Sequence, residues 1–260
     1  MALYDSIGRS YDTTRRADRD ITNHLARHLN LRPDARYLDV ASGTGNYTVA
    51  LQNLGGQMHG LELASTMLDK ARLKSDRVRW VQGNAESLPF ADRSFDGATC
   101  TLAIHHMKDT RSVFAEVFRV IASGRFVIFT ADHAQIEGYW LKEYFPNAIA
   151  ASLKQMPSAD AVVHHLKLAG FTAVETEPWE VPRDLQDWFL YAGKYRPEIY
   201  LDPAVRAGTS FFAQGLATPE ETDTGCDKLA DDIKSGRFEK VAEKYHHNLG
   251  DYLFVTATKA

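Results

Sequence analysis

The sequence has few cysteines, no long apolar run and no excess of basic residues. Its two cysteines, Cys100 and Cys226, form no CxxC pair. That excludes a disulfide framework and argues against a zinc site built on thiolates. No apolar stretch approaches the ~20 residues that a membrane span requires. Residues 1–19 are polar and lack the apolar core of a signal peptide. The 34 acidic residues against 30 basic ones give a formal charge of −4, a balance that argues against a dedicated nucleic-acid binder. No internal repeat or low-complexity tract is present. At 260 residues, 44% hydrophobic and 25% charged, the composition is that of one large globular domain, or of one domain with a sizeable elaboration. The expectation is a soluble, cytoplasmic protein with no membrane partner.

What the chain does contain is alternation. Ile21, Leu25 and Leu29 recur every four positions and predict an apolar helix face within residues 6–29. The Pro33-Asp34 turn ends it. Short apolar strands are expected at 36–40, 57–61, 78–82, 95–101 and 125–130. Helices separate them, one beginning near 47, one over 65–74 with Ser65 as N-cap, and one over 110–121. A helix at 161–169 and strands at 171–177 and 252–258 complete the pattern. Strands alternating with helices indicate βαβ units and a parallel sheet covered on both faces. The predicted fold is α/β, a Rossmann-like, mostly parallel seven-stranded sheet. The segment 184–247, rich in aromatics at helical spacing, is expected as a helical cap insertion over the binding edge of that sheet.

The chemistry concentrates in Tyr37-Leu38-Asp39-Val40-Ala41-Ser42-Gly43-Thr44-Gly45-Asn46. An apolar strand runs into a carboxylate, then a tight glycine loop, then a helix. Glycine permits a positive φ and a close backbone approach to a ligand. In open α/β sheets the ligand binds beyond the carboxyl ends of the strands, near the switch in strand order. Glu62 ends the second strand 17 positions after Gly45, where an acid accepts hydrogen bonds from ribose hydroxyls. NAD and S-adenosylmethionine both use this geometry. The dinucleotide fingerprint needs a third glycine, and Thr48 stands in its place. Asp39 would repel a pyrophosphate and suits a ligand with an ammonium group.

At these residues the chain resembles the class I S-adenosylmethionine-dependent methyltransferases of the type 11 group, which includes ubiquinone- and menaquinone-biosynthesis-like enzymes. The matching stretches are LDVASGTGNYTVAL, GLELASTMLDKAR, VQGNAESLPFADRSFDGATC and LAIHHMKDTRSVFAEVFRVI, in the family's order over residues 36–130, with LKLAGFTAVE beyond. The resemblance implies S-adenosyl-L-methionine as cofactor. It implies that Asp39, Gly43 and Gly45 hold the methionine moiety, that Glu62 binds the ribose, and that Leu63, Asn84 and Ala85 flank the adenine. Thr101 and Leu102 would lie beside the sulfonium and the amine. Ala41 replaces the first family glycine, which is tolerable at negative φ. Asn84 replaces an aspartate, and its oxygen can still accept from an adenine amino group. The opening segment resembles the family's lid. Tyr11 would then face the cofactor, with Arg16 or Arg15 reaching its carboxylate. The implied division is a methyltransferase domain over 1–183 and 248–260, with 1–30 as an N-terminal lid helix, and the cap at 184–247.

Methyl transfer is an in-line displacement, in which alignment alone supplies ~7–11 kcal/mol. A base is useful only when the acceptor must lose a proton. His106, His105 and His133 are the candidates. Adjacent residues point apart, so at most one of His105 and His106 is expected to face the site, His106 by preference. The pairs His105-His106, His164-His165 and His246-His247 cannot readily share one ion, and no H-E-x-x-H occurs, so no metal is expected. Most aromatics of the cap should form its core, a few lining an acceptor pocket, while Lys194 and Arg196 are expected on a solvated surface. The expected function is methylation of a small-molecule acceptor at O, N or C by a monomer or homodimer, with no nucleic-acid partner. Two other readings are a catalytically silent S-adenosylmethionine-binding regulatory protein and an NAD(P)-dependent oxidoreductase.

Overall fold

The computed structural model describes residues 11–260. Its strands are β1 (Arg36–Val40), β2 (Gln57–Glu62), β3 (Arg79–Gln82), β4 (Phe95–Thr101), β5 (Ile121–Thr130), β6 (Ala173–Trp179) and β7 (Tyr252–Lys259). They form one seven-stranded sheet in the order β3-β2-β1-β4-β5-β7-β6. All neighbours are parallel except β7, which runs antiparallel to β5 and β6. Because β1 pairs with β2 on one side and β4 on the other, the strand order reverses there. The carboxyl ends of β1 and β4 therefore open a crevice.

The helices are α1 (Arg19–Leu29), α2 (Asn46–Asn53), α3 (Ser65–Lys74), α4 (Thr110–Val120), α5 (His133–Glu137), α6 (Pro146–Gln155), α7 (Ala159–Ala169), α8 (Pro203–Ala207), α9 (Ser210–Ala213), α10 (Pro219–Ser235) and α11 (Phe238–Lys244). The period-2 alternation of the strands sorts side chains between two cores. From β5, Val127 and Phe129 join α1, α2 and the cap, while Phe126 and Ile128 lie with α4 and α7. All four are fully buried, each contributing about 1.5–3 kcal/mol. This two-sided burial explains why β5 reads as a continuous apolar run.

Several expectations need correction. α1 starts at Arg19, where the Asp18 carboxylate accepts from the Asp20 and Ile21 backbone amides. Residues 6–10 of the expected helix, like the rest of the opening segment before Tyr11, lie outside the described residues. With Ile21 and Leu25 fully buried, α1 is a wall of the core rather than a lid helix. Ser65 is the first helical residue and Ala64 the N-cap, with no side-chain capping bond. β5 leaves α4 without a loop, four residues earlier than expected, because Gly124 (φ 138°) folds against the Asp96 carbonyl at a register shift in β4. β6 begins two residues later than expected. α5 and α6 were hidden by the aromatic density after β5.

The cap does not have a core of its own. Tyr139 stacks on Tyr191 with centroids 3.9 Å apart, Trp140 meets Phe238 edge-on at 4.9 Å, and Phe129 of the sheet meets Phe189 at 6.2 Å. One apolar cluster thus runs from the sheet face into the cap. Lys194 and Arg196 are not simply solvated. Lys194 pairs with the buried Asp251 at 2.8 Å, and Arg196 lies over Trp188 and donates to the Leu185 carbonyl.

Gly45 combines a φ of 77° with Trp80 packed beneath it, so an added Cβ would lie 2.3 Å from the indole. The indole cannot easily retreat, since its N–H donates to the Ser75 carbonyl at 2.9 Å. Gly45→Ala is expected to lower stability by about 1–3 kcal/mol, measurable as a lower urea midpoint.

Candidate active site

A cavity of about 740 Å³ lies beyond the carboxyl ends of β1, β2 and β4, a size suited to a small molecule. The loop after β1 forms its floor. Ala41 (φ 59°) and Gly43 (φ 57°) both take left-handed conformations. The expectation of a negative φ at Ala41 is therefore overturned, and its methyl group costs about 1–2 kcal/mol. Leu102, after β4, is also left-handed at φ 53°. Both strained residues line the cavity. Cross-strand bonds hold the strained loops, from Ser42 N–H to Leu61 O at 3.0 Å and from Leu102 N–H to Phe129 O at 2.8 Å. Strain maintained in this way is typical of functional sites. No described residue lies within 4 Å of a Cβ built on Gly43, so the described floor is open there. Gly45 does not line the cavity; it serves as the left-handed N-cap of α2.

Two buried carboxylates face this floor. Asp39 is 3% exposed and accepts from the hydroxyls of Thr48 at 2.5 Å and Thr99 at 3.0 Å. Burial outweighs those bonds and pushes its pKa up to about 6. Glu62 is 8% exposed and accepts from the backbone amides of Gly43 and Ala64, both at 2.9 Å. Burial raises its pKa too. Neither carboxylate has a cationic partner among the described residues. Leu63, Asn84, Ala85 and Thr101 complete this side of the cavity. The Asn84 side-chain oxygen accepts from the Glu86 amide at 3.0 Å, which sets its orientation.

The opposite wall comes from distant parts of the chain. Tyr11 and Arg15 line it together with Asp187 of the cap. Arg15 Nε and Nη2 grip the Asp187 carboxylate at 2.5 and 3.2 Å, and the Tyr47 hydroxyl donates to it at 3.0 Å. The Trp188 amide donates to Thr14 O and the Gln186 amide to the Asp18 carboxylate, both at 3.0 Å. These bonds stitch the segment before α1 to the cap. Arg16 is exposed and takes no part in the wall, so Arg15 replaces it among the candidates. Asp12 is tied to the glycine loop through Lys74, whose ammonium also reaches Thr44 and Asn46.

Both adjacent histidines line the cavity, contrary to the expectation of one. They occupy a 3₁₀ turn, Ile104–His106, rather than a strand, and their ring centroids lie 3.8 Å apart. Burial, with smaller contributions from the charge of Arg15, lowers the His106 pKa to about 4 and that of His105 well below normal. Both rings are therefore neutral at physiological pH. His133 lies elsewhere, its Nε2 donating to the Met156 carbonyl at 2.6 Å outside the cavity. Gln155 and Gln214 approach from α6 and the cap; they and Asp187 carried no motif that could have marked them. Tyr47 lay within the matching glycine-loop stretch, and its position just after Asn46 was the available signal. The cap's large aromatics do not line the cavity.

Residues 38–129 match the family described as a methyltransferase domain. The chain is 36% identical over 213 residues to the uncharacterized methyltransferase YcgJ of Bacillus subtilis, covering 75% of this chain and 77% of that protein. It is 28% identical over 205 residues to a demethylmenaquinone methyltransferase of Clavibacter sepedonicus, covering 74% and 80%. A solved structure from Anabaena variabilis, described provisionally as a methyltransferase from an antibiotic biosynthesis pathway, superposes with a TM-score of 0.85 at 34% identity, covering 95% of this chain and 99% of that one. This chain belongs to the class I S-adenosylmethionine-dependent methyltransferases. The methyltransferase's cofactor is S-adenosyl-L-methionine, and the cavity fits that molecule. Ser42 Oγ, Thr101 Oγ1 and His105 Nδ1 are buried atoms without a hydrogen-bond partner among the described residues, and all three residues line the cavity. Such orphaned atoms call for a polar ligand, and the unpaired carboxylates call for a cationic one.

The methyltransferase carries a stability cost at Asp39. With its pKa raised from 3.8 to about 6, the folded state binds the proton more tightly than the unfolded chain. The associated stability is present below about pH 4 and lost as pH rises through about 6. Asp39→Asn should therefore be more stable than the wild type at pH 8 by about 1–3 kcal/mol. Urea unfolding should show that gain vanish near pH 4.

Proposed function

We propose that the cavity binds the cofactor with its adenosyl end along β2 and β3 and its methionine end over the glycine loop. Glu62 accepts from the ribose hydroxyls, Leu63, Asn84 and Ala85 flank the adenine, and Asp39 faces the amine. Gly43 and Ala41 present backbone, and Thr101 and Leu102 lie beside the reacting sulfur. Tyr11 closes the site. Arg15 addresses the cofactor carboxylate through Nη1, the guanidinium nitrogen that Asp187 does not hold. The observation that carries this reading is the pair of buried carboxylates without cationic partners among the described residues, a floor that attracts a sulfonium and an ammonium.

The bound cofactor supplies an electrophilic methyl carbon. The protein's part is to align a nucleophile with that carbon and exclude water. His105 and His106, uncharged at physiological pH, do not repel a cationic methyl donor. Their ring nitrogens orient an acceptor and take up its proton in passing; with a pKa near 4, His106 does not retain it. The acceptor is a small molecule methylated at O, N or C, and Gln155, Asp187 and Gln214 give its side of the cavity a polar lining.

Three measurements test this reading. Glu62→Ala should weaken S-adenosylmethionine binding by about 1.5–3 kcal/mol in calorimetry; unchanged affinity removes the ribose role. Wild-type affinity should fall as pH drops below about 6, where Asp39 takes up a proton, and Asp39→Asn should flatten that dependence. On an acceptor found by S-adenosylhomocysteine release, the double variant His105→Ala/His106→Ala should lose about 10²–10⁴-fold in turnover while retaining cofactor affinity. Full turnover in that variant would exclude both rings.

A further inference from the structure

Apart from the residues that line the cavity, three potential metal ligands converge. His24 and His28, at i and i+4, stand on one face of the helix, and Glu177 reaches them from the edge strand β6. His24 Nδ1 and His28 Nε2 each lie 3.3 Å from a Glu177 carboxylate oxygen. Bonds of about 2.0–2.1 Å at tetrahedral angles place ligand atoms roughly 3.4 Å apart, so these spacings suit one ion. The sequence-based argument against metal weighed adjacent histidines, H-E-x-x-H and paired cysteines; His24 and His28, at i and i+4 with no glutamate between them, fall outside those patterns.

The position between the ligands is held by a cation of the protein itself. Arg27 Nη2 lies 2.9 Å from His24 Nδ1, 3.1 Å from His28 Nε2 and 2.6 Å from Glu177 Oε1. A guanidinium can only donate, so a ring nitrogen or carboxylate oxygen bonded to Arg27 Nη2 turns an acceptor lone pair toward it. The remaining ring nitrogens are supported as metal-bound histidines usually are. His28 Nδ1 meets the Thr256 hydroxyl at 2.9 Å, and His24 Nε2 lies 3.7 Å from the Asp20 carboxylate, which the Trp179 indole fixes at 2.7 Å. Both imidazoles stack on Phe254 at 5.2 Å. The Arg27 side chain is 54% exposed and free to swing outward. Once it does, the Glu177 carboxylate stays beside both imidazoles, and the Arg125 guanidinium remains on the His28 carbonyl at 3.0 Å.

We propose that His24, His28 and Glu177 form a divalent transition-metal site, suited to Zn²⁺ by its two imidazoles and one carboxylate, with Arg27 as a displaceable internal cation. Metal there pins α1 to the edge strand β6, at a distance from the methyl-transfer chemistry and independent of it. The test is Zn²⁺ alone, titrated in competition with a chromophoric chelator, on the wild type, Arg27→Ala and the double variant His24→Gln/Glu177→Gln. The wild type should bind one Zn²⁺ that the double variant loses, and its melting temperature should rise with Zn²⁺ while that of the double variant does not. Arg27→Ala should bind at least tenfold more tightly, because the competing guanidinium is gone. Equal Zn²⁺ binding by wild type and double variant overturns the proposal. So does an Arg27→Ala affinity no better than wild type, a readout that stands even if the double variant fails to fold.

Discussion

Two carboxylates are buried at adjacent strand ends with only neutral donors, among the described residues, to hold them. Asp39 has two threonine hydroxyls and Glu62 has two backbone amides. Each bond offsets part of the desolvation cost, and the raised pKa values show that part of it remains. A protein gains nothing in stability from such an arrangement. In the proposed binding mode a cationic ligand removes the penalty, so the floor favours the cofactor's charge before it arrives. The left-handed Ala41 and Leu102 add backbone strain at the same place.

The walls follow from that floor. A charged ligand over an acidic floor needs exclusion from water, and the Arg15–Asp187 pair with Tyr47 closes the crevice from the cap side. Asp187, 1% exposed, is held by both partners. The cap reaches this position because its aromatic core is continuous with one sheet face. The same continuity removes its large aromatics from the cavity and leaves polar side chains, Gln155 and Gln214, to face an acceptor.

Much of the cavity's lining was legible before any coordinates. Asp39, Gly43, Glu62, Leu63, Asn84, Ala85, Thr101 and Leu102 lie at or just beyond strand ends, and strand ends in a parallel sheet point to one edge. They do line one cavity. The misplacements share a different character. His105 and His106 both face inward because a 3₁₀ turn, not a strand, carries them. His133 turned to a carbonyl of the neighbouring helix end, a partner 23 positions away. Arg15 displaced Arg16 because the segment before α1 is anchored by a cap residue 172 positions further on.

The amino-acid sequence by itself determined the α/β class, the glycine loop, and the acids at the ends of β1 and β2. Those features arise from local periodicity and from the backbone freedom of a few residues, which neighbours along the chain suffice to specify. Only the tertiary structure decided which side chains close the cavity, that two imidazoles rather than one share it, and that His24, His28 and Glu177 meet around Arg27. Those outcomes depend on contacts between segments far apart in the chain, and their energies exist only once burial has removed the water between them.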